Sequence, residues 1–139
     1  MARGLHILLV EDHDASARVL KKLLEHEGYF VTSVATCNDA RSLLHALDFD
    51  VIIADIDPPD GNGLDLVRLL KALDRPTRCI AMTGFGFPTE IEHGLGAGCD
   101  EYLVKPIEFK TLMAIIDRLS PLRPAPDRMS VGQTFRRAN

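Results

Sequence analysis

The segment VIIADIDPPDGNG, residues 51 to 63, joins four apolar residues directly to Asp55 and then to a loop that holds two prolines and two glycines. The apolar run predicts a strand covered on both faces, since such strands read as near-continuous runs of Val, Ile and Leu. The prolines predict a stiff loop after the strand. Asp55 and Asp57 therefore stand where a buried strand ends, which is a costly place for a carboxylate that has no specific role.

Strands and helices alternate along the rest of the chain in the same way. The predicted strands cover Leu5–Val10, Phe30–Ala35, Asp50–Ala54, Arg78–Met82 and Tyr102–Val104. Five helical patterns follow them, one that Asp14 caps and Gly28 ends, one that Asn38 caps, and three over Leu64–Leu73, Thr89–Ala97 and Glu108–Leu119. This alternation predicts an α/β fold with a doubly wound, five-stranded parallel sheet that helices cover on both faces.

The spacing of apolar residues also predicts which helix faces are buried. Two helices carry four apolar residues at spacings typical of an amphipathic helix: Val19, Leu20, Leu23 and Leu24 in the first, and Leu112, Ile115, Ile116 and Leu119 in the last. We expect both sets to face the sheet.

Polar residues follow four of the five predicted strands. They are Glu11 and Asp12 after the first strand, Asp55 after the third, Thr83 after the fourth and Lys105 after the fifth. Because the carboxyl ends of parallel strands meet at one rim, these side chains are expected to converge there. Carboxylates about 5 Å apart repel by roughly 3 kcal/mol at an effective dielectric of 20. The all-oxygen set therefore predicts a divalent cation, with Mg²⁺, Mn²⁺ and Ca²⁺ as the candidates.

Composition places the chain among globular proteins. Its 139 residues, of which 46% are apolar and 26% charged, predict one domain over residues 1–120, followed by a disordered tail or linker over 121–139. The net charge of -4 argues against a nucleic-acid surface. Three widely spaced cysteines favour a reducing cytoplasm over a disulfide or zinc framework. We find no signal peptide or membrane span in the sequence.

Four motifs together resemble the receiver domain of two-component response regulators, over residues 4 to 119. They are ILLVEDHD, DVIIADIDPPDGNGLDLV with Pro59 and Gly63 after Asp55, AMTG, and GCDEYLVKPI. The resemblance implies a flavodoxin-like (βα)5 fold with strand order 2-1-3-4-5. The sequence style is also similar to receivers attached to hybrid histidine kinases.

The resemblance assigns roles to matching positions. Asp55 would accept a phosphoryl group from a histidine kinase or a phosphotransfer domain. Asp12 and Asp55 would bind Mg²⁺ through their carboxylates, Asp57 through its backbone carbonyl and Glu11 through a water. Lys105, whose peptide bond to Pro106 is cis in the family, would pair with the phosphate. Thr83 would move its hydroxyl onto the phosphate, and Tyr102 would turn inward, which changes the surface of the fourth helix, fifth strand and fifth helix.

Two other readings stay open. Asp55 and Asp57 have the spacing of the aspartate pair in haloacid dehalogenase phosphatases, but Pro59 replaces the Thr or Val expected there and the length leaves no room for a cap domain. Within the receiver reading, a stand-alone phosphate sink and an excised domain of a longer protein are alternatives. We expect no turnover beyond the domain's own phosphorylation and dephosphorylation, an unidentified protein target, no direct nucleic-acid contact and no membrane contact.

Overall fold

A computed structural model describes residues 4–56, 61–84 and 98–119 of the chain. Five strands lie in these ranges: β1 (His6–Val10), β2 (Phe30–Val34), β3 (Val51–Asp55), β4 (Arg78–Thr83) and β5 (Glu101–Val104). Four helices lie there too: α1 (Asp14–His26), α2 (Cys37–Ala46), α3 (Leu64–Ala72) and α4 (Phe109–Leu119). The helix predicted over Thr89–Ala97 and the tail predicted over 121–139 fall outside the described residues.

All the strand pairs are parallel and form one sheet in the order β2-β1-β3-β4-β5. The predicted fold class and strand order are thereby confirmed. The central strand β3 is buried along its whole length, as its apolar run predicts. The edge strand β2 is only partly covered, which agrees with the polar Thr32 and Ser33 inside it.

Each face of the sheet carries its own hydrophobic core. On one face, α2 and α3 cover a cluster that includes Leu8, Ile52 and Ala81. On the other face, α1 and α4 cover a cluster that includes Ile53 and Ile80. Successive side chains of a strand point to opposite faces, so each central strand contributes to both clusters. The arrangement is the doubly wound one that alternating strands and helices predict.

The predicted burial of the last helix is confirmed, but that of the first helix is wrong in part. All four predicted apolar residues of α4 are buried. In α1, Leu24 is fully buried, whereas Val19 is 58% and Leu23 41% exposed. Val19 and Leu23 each precede a sheet-facing leucine by one residue, which rotates them by about 100° around the helix axis. Half of the apolar stripe therefore faces solvent.

Both predicted helix caps in the first half of the chain are one or two residues off. His13, not Asp14, caps α1, because its Nδ1 accepts the N–H of Ser16 at 3.3 Å. Thr36, not Asn38, caps α2, because its hydroxyl accepts the N–H of Asp39 at 3.1 Å. The end of α1 at Gly28 is confirmed, and this glycine has a φ of +99°, which L side chains rarely adopt.

The three cysteines are free and buried, as small apolar residues would be. Burial, with a smaller contribution from neighbouring groups, raises the pKa of both Cys79 and Cys99 to about 12. Both side chains are therefore thiols at neutral pH. None of the helices within the described ranges has the length and apolar character needed to cross a bilayer.

Candidate functional site

Strand register brings the predicted site residues to one rim of the sheet. Val10, which precedes Glu11, pairs with Ala54, and Asp55 pairs with Met82. Thr83 pairs with Val104, which precedes Lys105. The register therefore places the carboxyl ends of the four strands at the same level. The convergence predicted from the sequence is confirmed for these segments.

Three carboxylates form a cluster at the rim. Glu11, Asp12 and Asp55 each place one oxygen within 4.8 Å of the others. Glu11 and Asp55 are buried, with 4% and 6% of their surface exposed, whereas Asp12 is exposed. Two buried carboxylates this close need compensation, because burial strengthens their repulsion and removes their solvation.

The ammonium group of Lys105 supplies part of that compensation. Its Nζ donates to Oε1 of Glu11 at 2.7 Å and to Oδ2 of Asp55 at 3.0 Å. The other oxygen of Glu11, Oε2, accepts the backbone N–H of His13 at 3.0 Å. Charge-assisted hydrogen bonds of this length are among the strong ones in proteins. They hold the acidic and basic groups of the rim in one connected network.

The protonation of Lys105 reflects two opposing effects. Burial lowers the pKa of Lys105, but its hydrogen bonds to Glu11 and Asp55 outweigh burial and hold the pKa above its ordinary value. Lys105 is therefore a cation throughout the neutral range. Its side chain is 31% exposed while the ammonium contacts both carboxylates.

The donor set of the cluster suits a hard divalent cation. Three carboxylates and one ammonium together carry a formal excess of two negative charges. The two positive charges of a divalent cation would balance this excess. All the candidate ligand atoms are oxygens, which Mg²⁺, Mn²⁺ and Ca²⁺ prefer over the nitrogen and sulfur ligands of zinc sites. Asp57, the remaining predicted ligand, lies outside the described residues.

Thr83, the first predicted switch residue, lies on β4 beside the strand of Asp55, and Tyr102, the second, lies on the edge strand β5 beyond it. Thr83 is fully buried, and its carbonyl accepts the backbone N–H of Lys105 at 2.7 Å. Tyr102 is half-buried and pairs with Ala81, two residues before Thr83 along β4. The peptide bond between Lys105 and Pro106 is cis, as the resemblance implies. These placements agree with the assigned roles without testing them.

One contributor to the site was missed at the level of sequence. His13 caps α1 with its side chain and binds Glu11 with its backbone N–H, so it links the helix start to the acidic cluster. Histidine is not among the preferred N-cap residues, and a backbone contact leaves no mark on the sequence. No signal in the sequence therefore points to this role.

The comparisons with known proteins identify the family. A model of the response regulator receiver domain matches residues 7–117. Protein PetR of Rhodobacter capsulatus is 35% identical over 130 residues, which cover 94% of this chain and 54% of PetR. Other relatives are named as transcriptional regulatory proteins, and one is a hybrid signal transduction histidine kinase. This chain spans about half the length of PetR and of the transcriptional regulators it matches.

Solved structures with the same fold include the signal receiver domain of a putative Luxo repressor protein from Vibrio parahaemolyticus. It is 26% identical, with a TM-score of 0.81, and the match covers 91% of this chain and 98% of that one. A response regulator from Burkholderia pseudomallei is 24% identical, with a TM-score of 0.76 and coverage of 91% and 75%. That structure contains a phosphorylated aspartic acid, a calcium ion and citrate.

The chain therefore belongs to the response regulator receiver domain family of two-component signal transduction, and its fold, motifs and acidic rim all agree with this membership.

Mg²⁺ should raise the thermal stability of the protein, because it relieves repulsion among Glu11, Asp12 and Asp55. A ligand that binds only the native state at one hundred times its Kd stabilises it by about 2.7 kcal/mol. Differential scanning calorimetry at millimolar Mg²⁺ should show a higher Tm for the wild type and little change for Asp12→Ala. Asp14→Ala is the matched control, since Asp14 is an exposed acid paired with Arg18 outside the cluster. An equal Mg²⁺ response in wild type and Asp12→Ala would contradict the predicted site.

Proposed function

We propose that Asp55 accepts a phosphoryl group from the phosphohistidine of a histidine kinase or phosphotransfer domain. One observation carries the proposal: the nearly buried Asp55 carboxylate lies at the end of β3, bonded to Lys105 and beside two further carboxylates. Burial frees the carboxylate from competing water, and the charged neighbours hold it in one orientation. A nucleophile for in-line attack on phosphorus requires both properties.

In the proposed reaction, an Asp55 oxygen forms a bond to phosphorus as the bond from phosphorus to the donor imidazole breaks. The imidazole leaves with the electron pair and is neutralised by a proton. The main demand on the protein is to neutralise the equatorial oxygens of the phosphoryl group. The Lys105 ammonium is placed for this, and the Thr83 hydroxyl is the second candidate donor on the neighbouring strand. A bound Mg²⁺ would supply further positive charge, held by Glu11, Asp12 and Asp55.

We further propose that the domain turns over no substrate beyond its own acyl phosphate. The rival reading, an aspartate-dependent phosphatase, needs Asp57 as a general acid beside Asp55, and Asp57 lies outside the described residues. What favours the receiver is the match of the receiver domain model to residues 7–117, a range that includes Lys105 and the two carboxylates it contacts.

Acetyl phosphate with Mg²⁺ should add one phosphate to the wild type and none to Asp55→Asn, because the amide is a poor nucleophile. Intact-protein mass spectrometry measures the label. Asp12→Asn is the comparison variant, since it keeps the nucleophile and weakens the cation site, and we expect slower labelling there. Labelling of Asp55→Asn at the wild-type level would refute the assignment. Rapid turnover of p-nitrophenyl phosphate by the wild type would instead support the phosphatase reading.

An apolar groove beside the site is suited to dock the phosphodonor protein. It has a volume of about 640 Å³ and runs between α1 and the segment that leads into α4. Its walls include Val19 and Leu23, together with Ile107 and Phe109. Because these apolar side chains lie together in one groove and are not scattered singly over the surface, they are suited to be a contact surface.

The position of the groove supports one occupant, the protein that donates the phosphoryl group. Glu11 and Lys105 belong both to the groove lining and to the network around Asp55. A donor must bring its phosphoryl group within bonding distance of Asp55, and a protein seated in this groove would contact Glu11 and Lys105, two neighbours of Asp55. An amphipathic helix is the element that fills an apolar groove of this kind. We propose that a helix carrying the phosphohistidine docks here.

Leu23→Ala should slow phosphorylation by a phosphorylated histidine kinase about tenfold while leaving the rate with acetyl phosphate unchanged. The reason is that Leu23 lines the groove but belongs to neither the acidic cluster nor the hydrogen-bond network of Lys105. Leu24→Ala is the matched control, since Leu24 is fully buried in the core and its loss should cost about 2–5 kcal/mol of stability. Radiolabel transfer to folded protein measures both rates. Equal slowing with both donors, or none with the kinase, would rule out this docking surface.

The proposed output is a change of surface around β5. Phosphorylation would draw the Thr83 hydroxyl toward the phosphate, and Tyr102 would move further into the sheet's edge. Thr83 is fully buried and its carbonyl holds the backbone of Lys105, so a shift at this strand end passes directly to the end of β5. The neighbouring Val104 is 43% exposed, which makes the strand accessible to a partner.

Beryllofluoride, a phosphoryl mimic, should change hydrogen exchange most strongly across residues 84 to 104, because Thr83 directly precedes that segment and Tyr102 lies near its end. Mass-spectrometric exchange with and without the mimic measures this. Thr83→Ala should lose the change while it still binds the mimic. A response confined to residues 20 to 50 would show that the output lies elsewhere.

Both alternatives for the wider role of the chain, a stand-alone phosphate sink and an excised domain of a longer protein, stay proposals. The match covers only about half of each relative named as a transcriptional regulator, so a DNA-binding output belongs to the proposals for a longer protein. For this chain alone, the absence of direct nucleic-acid and membrane contacts, and the cytoplasmic location, stay predictions. A stand-alone phosphate sink fits the same site.

A further inference from the structure

Gly63 lies directly against the main chain of the proposed nucleophile. A Cβ atom at this position would lie 2.4 Å from the carbonyl oxygen of Asp55 and 2.9 Å from Cα of Ile56. Both distances are shorter than any real contact of a Cβ atom. The obstructing atoms belong to the backbone, so they cannot rotate away as the end of a side chain can.

Glycine is required at position 63 for steric reasons, and its backbone conformation does not require it. Gly63 has a φ of -60° and a ψ of -22°, a conformation that every residue adopts readily. Alanine at position 63 would therefore meet no backbone strain of its own. Its methyl group would instead displace either the start of α3 or the end of β3.

Hydrogen bonds fasten these two elements together at the same point. The N–H of Gly63 donates to the carbonyl of Ile56 at 3.0 Å, and the N–H of Ile56 donates to the carbonyl of Met82 at 2.9 Å. The carbonyl of Gly63 accepts the N–H of Leu66 at 3.0 Å as α3 begins. The first turn of α3 is thus joined to β3, and through it to β4, beside Asp55.

We propose that Gly63 is a positioning residue for phosphoryl transfer, which sets the place of the Asp55 carboxylate relative to Lys105 and the acidic cluster. The proposal rests on the proposed phosphoacceptor role. The Asp55 carboxylate is 3.0 Å from the Lys105 ammonium, and its oxygen must stay within reach of a cation shared with Glu11 and Asp12. A misplacement of about 1 Å at a reacting group costs on the order of a hundredfold in rate.

The test compares Gly63→Ala with Val67→Ala, a matched control on the same helix whose buried side chain contributes to the core. For Gly63→Ala we expect phosphorylation by acetyl phosphate at saturating Mg²⁺ to fall at least tenfold, and the Kd for Mg²⁺ to rise about tenfold. Val67→Ala should lose stability but keep both values per folded molecule. Urea unfolding measures the folded fraction, and calorimetric titration with MgCl₂ alone measures the Kd. Wild-type rate and Kd in folded Gly63→Ala would overturn the proposal.

A measurement on the wild type covers the case in which Gly63→Ala does not fold. In the wild type, the proposal predicts that the Gly63 amide proton is protected from hydrogen exchange and that its NMR resonance shifts when Mg²⁺ is added. Exchange at the rate of an unfolded chain, or a shift that ignores Mg²⁺, would overturn the proposal. The Mg²⁺ measurements need no phosphodonor, so they remain decisive even if Asp55 proves not to be phosphorylated.

Discussion

The ammonium group of Lys105, held between Glu11 and Asp55, is the interaction on which the site depends. Two buried carboxylates at the end of one sheet repel each other and lose the solvation that water would give them. A single cation that donates to both offsets these costs and ties the end of β5 to the ends of β1 and β3. The backbone of Lys105 is itself fixed to Thr83, so the position of its side chain follows from the sheet. The sheet and the charged network therefore support each other.

The same network leaves the site ready for chemistry. One ammonium does not balance three carboxylates, so the cluster retains a negative excess that a divalent cation can neutralise. The side chain of Lys105 is partly exposed, so under the proposed function it could contact an incoming phosphoryl group while it stays bound to the carboxylates. Asp55 is nearly buried, which keeps water from competing for its oxygens. Stability and reactivity thus draw on the same few side chains, a common feature of sites with strongly coupled charges.

The surroundings of the site show a second compromise, between burial and recognition. Helix α1 turns Leu24 into the core and leaves Val19 and Leu23 in the groove. A helix that buried all its apolar residues would be more stable but would offer no surface beside Asp55. Gly63 reflects the opposite demand, since its missing side chain lets α3 start directly against the backbone of Asp55 and Ile56. Leu23 lines a groove that Glu11 and Lys105 also line, and Gly63 packs against the backbone of Asp55, so both features are explained by their position beside the rim.

Local sequence patterns determined the strands, the helix at Glu108–Leu119, the sheet type and the residues that end each strand, because hydrophobic periodicity and strand punctuation are properties of neighbouring residues. The tertiary structure alone decided which groups meet. Lys105 bonds to partners 94 and 50 residues away, a pairing that no local pattern encodes. The exposure of Leu23 depends on how α1 is rotated against the sheet, and the cap at His13 depends on the loop from Glu11. Such contacts arise only when separate segments are brought together by packing, so the sequence indicated the parts of the site and the fold determined their geometry.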